Sequence, residues 1–327
     1  MTDEVERGKE KGELKTAVFS IVLSTMLYNI AIGQIFFILP LLLFSMQFGK
    51  KKASLLVLIE LAIVFALELW MNKPGSEKLA WLHMILVLLI PLTLSASGMA
   101  WMWSDRKKTE ARVMLAMVPF LIAIGIVAAM LVFDTALRNG LYSMYSDAFS
   151  MIFADIMKII DPNMNVELAF QLVLLTVLSF LLPMVFMVVC ANGFVYETMK
   201  HSKESSWEDR VSCFELRENY IWCLILSWTL VLASRFISIP LVIQIAVLNV
   251  AGFWTSVYSV EGFTVVYARL RRNIQRLRSL TLFMIIFFIS MVIPGINIII
   301  ILALPLAGAL ENFFDLKKTG VKNEDHS

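Results

Sequence analysis

The chain has 327 residues, 59% of them hydrophobic, and 28 basic against 26 acidic side chains, a net charge of +2; its mean hydropathy is +0.78. A soluble domain is nearer half apolar and spaces its apolar residues periodically, whereas uninterrupted runs of about twenty recur along nearly all of this sequence. That pattern excludes an ordinary soluble domain and a β-barrel, and the charge balance leaves no basic excess for nucleic acid; the class is an all-α, polytopic transmembrane helical bundle.

In chain order, the polar start MTDEVERGKEKGELK (1–15) reads as a retained cytoplasmic tail. The apolar run after it, 16–48, is too long for a signal-peptide core and ends without a small-residue cleavage site. Further apolar segments cover 53–71, 79–103, 113–133, 166–195, 219–237, 240–268 and 280–313. A single span needs about 20 residues, so the first and last runs are too long for one span and short for two. Each is interrupted near its middle, by Asn29, Gly33 and Gln34 with Pro40 beyond, and by Pro294, Gly295 and Asn297. Proline removes a backbone donor and glycine weakens a helix. Both ends therefore read as broken or hairpin-like segments, with one long tilted helix each as the alternative. The total is about 8–10 membrane segments in a single domain, 16–313, before a C-terminal tail, 314–327.

Charge tests the hairpins. With both in place and the N-terminus inside, 23 of the 28 basic residues fall in cytoplasmic segments, and only Lys73, Lys78, Arg138, Lys158 and Arg235 fall outside. Retention of positive charge on the cytoplasmic side favours that topology, with both termini inside a cell membrane. Two connections are long. The outer one, 134–165, sets Ser143, Asp147 and Ser150 against Leu141, Tyr145, Ile152, Ile156 and Ile159 at helical spacing, and predicts an amphipathic helix closed by Asp161-Pro162. The cytoplasmic one, 196–218, is charged, with Ser206 placed as a helix N-cap before Trp207.

No metalloprotease HExxH, GxSxG elbow, P-loop or dinucleotide fingerprint occurs, and the three histidines and three cysteines form no ligand cluster, so neither an enzyme nor a bound metal or cofactor is expected. Cys190, Cys213 and Cys223 read as packing residues. What remains are polar groups inside spans, which hydrocarbon penalises and function often explains. Glu60 lies eight residues after Lys52 and Glu261 eight before Arg269, so each sits about 12 Å from a basic anchor. Were they to meet, they would share a proton or a cation, because two bare carboxylates in low dielectric repel; separate, each is protonated or snorkels. On the segment around Glu261, the residues Asn249, Gly252, Ser256 and Ser259 form a small-residue packing face. Glu261 points with Trp254 and Val257 to nearly the opposite side. Toward the outer ends, Glu68, His83, Gln171, Arg235 and Gln244 form a candidate outer polar pocket, in which Arg235 and Glu68 either pair or each snorkel. Trp101, Trp103 and Trp222 read as interfacial belt aromatics.

Three stretches, SVYSVEGFTVVYARLRR, CFELRENYIWCLILSW and LPLAGALENFFDLKK, resemble the YybS-like family of multi-pass membrane proteins of unknown function. In that family the position before Gly262 is often Gln, which puts an obligate proton-carrying role for Glu261 in doubt. The terminal pattern is matched here by Gly308, Asp315, Lys317 and Lys318. The family is distantly similar to the substrate-binding membrane subunits of energy-coupling-factor vitamin transporters, which implies a small-molecule pocket in the outer half and energy supplied by partner subunits. The leading expectation is a small-solute transport component. The alternative is a non-transporting scaffold or assembly factor that docks cytoplasmic proteins or anionic lipid through Arg269, Arg271, Arg272, Arg276 and Arg278.

Overall fold

The computed structural model describes residues 2–30, 33–72, 78–105, 107–160, 165–201, 205–212, 214–273, 280–314 and 316–317. Asp161, Pro162, Cys213, Arg276, Arg278 and the tail beyond Lys317 lie outside them, as do the side chains of Lys158 and Ser206. Among the described residues the chain is all helix: α1 (Thr2–Tyr28), a short 3-10 turn (Gly33–Ile35), α2 (Leu39–Phe48), α3 (Lys50–Asn72), α4 (Lys78–Trp103), α5 (Thr109–Phe133) and α6 (Thr135–Ile160). It continues with α7 (Val166–Ser179), α8 (Leu181–Lys200), α9 (Ser205–Ser212), α10 (Tyr220–Ala233), α11 (Leu241–Asn273), α12 (Leu280–Val292) and α13 (Ile296–Phe314).

Among the described residues six helices are long and apolar enough to cross a membrane: Lys50–Asn72, Leu79–Trp103, Thr109–Phe133, Leu181–Lys200, Leu241–Arg272 and Ile296–Phe314. Only 17% of the most apolar stretch of Thr109–Phe133 is buried in protein. A surface that apolar needs hydrocarbon around it, and a helix, whose backbone groups bond mostly within the segment, can have it. The protein is thus a multi-pass membrane protein. Its helices gather into two compact units, 1–174 with 187–200, and 175–186 with 201–327.

Both end runs are broken where the sequence interrupts them. In the first unit α1 stops at Tyr28, and α2 restarts with Pro40 in its first turn, where a missing N–H costs nothing. Carbonyls freed by the break are taken up by side chains: Ser24 Oγ donates to Phe37 O at 2.7 Å and Asn192 Nδ2 to Ile35 O at 2.9 Å. Matched contacts show that α1 and α3 run parallel. Glu13 meets Lys52, Thr25 meets Glu60 and Tyr28 meets Glu68, in rising order on both helices. A chain that leaves α1 and enters α3 in the same direction must return through α2, which packs on both. That is the hairpin. In the second unit α12 and α13 meet at a turn in which Asn297 Oδ1 accepts the amides of Gly295 and Ile298. The joints at Gly49 and Gly295 have φ of +89° and +88°, which glycine adopts without steric cost.

The closest helix contact in the second unit joins α11 to α13. Gly262 and Gly308 let the two backbones touch: a Cβ on Gly262 would stand 1.8 Å from Leu304 O, and one on Gly308 2.1 Å from Tyr258 O. Small residues at a membrane helix contact have this use, since association without a hydrophobic drive depends on close packing. A second face of α11 mends the bend between α7 and α8. Pro183 gives no amide to the preceding turn, and Asn249 fills the gap, its Nδ2 donating to Leu178 O at 2.6 Å and its Oδ1 accepting Leu182 N at 2.8 Å. Gly252 packs there against Pro183 and Phe180, so the small-residue face read around Asn249 and Gly252 does pack against helix.

The connection 134–165 forms α6, and protein covers its first half more fully than its second. Leu137 and Leu141 pack with Leu82, whereas Ile152, Ile156 and Ile159 stay 65%, 48% and 84% exposed.

Candidate functional site

Glu60 and Glu261 are both enclosed, at 0% and 1% exposure, so neither snorkels to an interface. Each finds its partners in its own unit. Glu60, on α3, has hydroxyl neighbours on α1: Thr25 Oγ1 lies 3.1 Å from Oε1, and the Ser24 hydroxyl also faces the carboxyl. Its Oε2 is buried and unbonded. Glu261, on α11, accepts the backbone amide of Leu216 at 3.0 Å through Oε1, and its Oε2 is also unbonded. The chemistry available to the two is different. A backbone donor holds Glu261 to the segment before α10, which makes it an anchor for that segment.

Around that anchor other polar residues of the second unit assemble. Lys317 Nζ donates to Phe214 O, and Thr264 Oγ1 lies 3.5 Å from the same carbonyl and 2.7 Å from Glu261 O. Both oxygens of Glu311 accept the Lys317 amide, at 3.2 and 3.1 Å. Arg269 Nε donates to Leu316 O at 3.3 Å, and Arg271 stands 3.7 Å from Glu208 of α9. Two of the predicted docking arginines therefore have contacts within the chain, and Arg269 and Arg272 are exposed. Trp254, on the Glu261 side of α11, packs against Tyr220 of α10 with ring centroids 5.6 Å apart.

The first unit has a charged cluster at its basic end that spacing alone does not reveal. Arg112, 7% exposed at the start of α5, donates from Nη2 to Glu197 Oε1 at 2.6 Å and to Asp105 Oδ1 at 3.2 Å. Asp105 Oδ2 also takes Lys50 Nζ at 2.9 Å and Lys200 Nζ at 3.1 Å. Burial would raise the Asp105 carboxyl, but hydrogen bonds and charge from Lys50 and Lys200 outweigh it and hold the group below the usual carboxylate range. Trp101 belongs to this cluster, not to the belt: its ring lies 4.6 Å under the Arg112 guanidinium, and Nε1 donates to Glu197 at 3.3 Å. Two residues on, about 200° around the helix, Trp103 is 55% exposed, as is Trp222 at 68%, and both fit a belt. Sequence signals for the cluster existed in the basic residues flanking each span, but Asp105 and Glu197 had no feature to distinguish them from surface acids.

Of the five residues of the candidate polar pocket, Glu68, His83 and Gln171 belong to the first unit and Arg235 and Gln244 to the second. Glu68 accepts Tyr28 Oη at 2.6 Å and Asn72 Nδ2 at 2.5 Å. Gln171 donates to Tyr142 Oη at 3.1 Å and to Glu167 at 3.3 Å; Glu167 itself accepts Ser146 Oγ at 2.7 Å and the Tyr142 hydroxyl. His83 lies against the Tyr145 ring at 5.8 Å. In the second unit, Arg235 is exposed after α10 and Gln244 donates to Ile239 O at 3.1 Å. Concave space in the first unit lies one residue from His83. A cleft of about 530 Å³ at the corner of α4, α5 and α6 is lined by Leu82, Ala129, Met130, Phe133, Asp134, Thr135 and Leu137. Asp134 caps α6 there, accepting Leu137 N at 2.9 Å.

Among the described residues no three His, Cys, Asp or Glu side chains gather where they could hold a metal ion. Cys190 and Cys223 are free thiols. No family model, curated protein or solved structure matches the chain.

Proposed function

We propose that this membrane protein is a small-solute-binding component of a transport system, and that the solute lodges in the α4–α5–α6 cleft. The cleft is the observation that carries the reading. Its volume, about 530 Å³, falls in the range of small-molecule sites, and mostly apolar walls with Asp134 and Thr135 at one side suit an amphipathic solute. The cleft lies at the end of the first unit opposite Lys50, Asp105 and Arg112. Retention of positive charge on the cytoplasmic side supports an orientation with that basic end inside and the cleft in the outer half of the membrane. Membership of the YybS-like family, with its likeness to energy-coupling-factor substrate subunits, belongs to the same proposal and is compatible with it. The scaffold reading has less support, since Arg269 and Arg271 are spent on Leu316 and Glu208.

The test is thermal stabilisation of the protein in lipid nanodiscs against a panel of small amphipathic solutes, with Ala129→Trp to fill the cleft. A solute that raises the unfolding temperature of the parent and not of Ala129→Trp supports the proposal. Equal stabilisation of both moves the solute elsewhere and overturns it. If no solute acts, and cytoplasmic proteins recovered with the parent are lost with Arg272→Ala, the scaffold reading replaces it.

A further inference from the structure

We propose that Glu60 is a proton-binding site: a neutral carboxyl whose hydrogen lies on Oε1 and is donated to Thr25 Oγ1. Full enclosure of the carboxyl, with Oε2 unbonded and no cation in reach, carries this, and the hydrogen inventory at Thr25 accommodates it. Its hydroxyl lies 3.0 Å from Ile21 O, one turn back on α1, and 3.1 Å from Glu60 Oε1. A hydroxyl has one hydrogen and two lone pairs. Ile21 O, a carbonyl that also takes the Thr25 amide within α1, can only accept; with the Thr25 hydrogen on it, Thr25 has only acceptor capacity left for Glu60. In that arrangement the oxygen-to-oxygen contact at 3.1 Å is a hydrogen bond if Glu60 supplies the hydrogen, which is the arrangement proposed; the other arrangement, with the Thr25 hydrogen turned to Glu60, is the one a carboxylate would take.

The surroundings agree. Glu60 is fully enclosed and its Oε2 has no donor; a carboxylate there would be a buried charge with neither cation nor amide to stabilise it. The elements packed on α3 bring none. On α1 the ionisable groups nearest in sequence to Thr25 are Tyr28, whose hydroxyl is given to Glu68, and Lys15, more than two turns away. Helix α2 has no ionisable side chain, and α4 between Leu79 and Trp103 has only His83, packed on Tyr145. On α3 itself, Lys52 is paired with Glu13 and Glu68 accepts from Tyr28 and Asn72. Glu261 differs on this point, because its oxygen already receives the Leu216 amide.

Loss of the proton has a defined local consequence. The carboxylate would take the Thr25 hydrogen, and Ile21 O would lose a donor in the last turns of α1. The neighbouring Ser24 ties that same stretch to Phe37 O across the α1–α2 break, so the proton is linked to the hairpin turn. This site is separate from the solute cleft and stands whether or not the cleft binds a solute.

Infrared difference spectroscopy of the protein in nanodiscs at neutral pH, parent minus Glu60→Gln, tests it. A protonated-carboxyl C=O band present in the parent and lost in the variant is expected, and in D2O the band shifts as the hydrogen exchanges. Thr25→Val, which keeps Glu60 and removes its acceptor, shifts the same band to higher frequency and serves if Glu60→Gln fails to fold. Absence of the band from the parent, with carboxylate bands lost in Glu60→Gln, overturns the proposal. So does a band that disappears on adding sodium at constant pH, which would make the site one for a metal cation.

Discussion

The basic ends of the two units are closed by different chemistry. In the first, three cations and two carboxylates meet around Arg112, with side chain bonded to side chain. In the second, side chains reach main chain: Glu261 takes the Leu216 amide, Glu311 the Lys317 amide, and Lys317 the Phe214 carbonyl. An ionic closure depends on the charge state of every member, and breaking one partner leaves the others buried without compensation. A main-chain closure survives a change of charge as long as an acceptor oxygen remains. The two units should therefore fail under different treatments.

The largest effect expected is from Arg112→Ala. It leaves Glu197 without its 2.6 Å partner and removes the cation over Trp101, and should cost about 3 kcal/mol or more. Peptide-level hydrogen exchange should report the loss in α4, α5 and 187–200, with α11 and α13 unaffected. Gly308→Ala should do the converse: its Cβ meets the Tyr258 carbonyl at 2.1 Å, backbone has to move, and about 2 kcal/mol of stability is lost from α11 and α13. Chemical denaturation of the purified variant gives the magnitude, and exchange its location.

Glu261 sharpens the comparison. Glu261→Gln keeps an oxygen for the Leu216 amide and should be nearly neutral, whereas Glu261→Leu orphans that amide and should cost about 1–2 kcal/mol. If the two variants were equally unstable, charge would be holding the second unit as well. The smallest effect is the pH dependence of Asp105. Its folded-state value is lowered, so its contribution is complete above the ordinary carboxylate range, near 4, and is lost as pH falls through the lowered value. The difference in unfolding temperature between the parent and Asp105→Asn should thus be present at pH 7 and shrink below pH 4.

Much of the architecture was legible in the sequence, for identifiable reasons. Hydrocarbon demands long apolar helices, so membrane class and helical content follow from composition and run length. Pro294, Gly295 and Asn297 ended one helix and began another as their backbone chemistry requires, and the interruption between Asn29 and Pro40 did the same. The candidate sites were legible only as depths. Eight residues from a basic anchor placed Glu60 and Glu261 alike, and nothing in their local sequence says that one meets a hydroxyl and the other an amide.

That distinction depends on which helix lies beside each carboxylate. Thr25 reaches Glu60 because α2 folds back and sets α1 parallel to α3. Leu216 reaches Glu261 because the segment before α10 is pinned by Lys317 from the far end of the chain. Asp105 and Glu197, 92 residues apart in the chain, look like ordinary surface acids until Arg112 joins them. The sequence by itself determined a helical membrane protein with broken first and last segments, because solvent and backbone chemistry act locally. Only the tertiary structure decided the partners of its buried charges, because those partners come from distant helices.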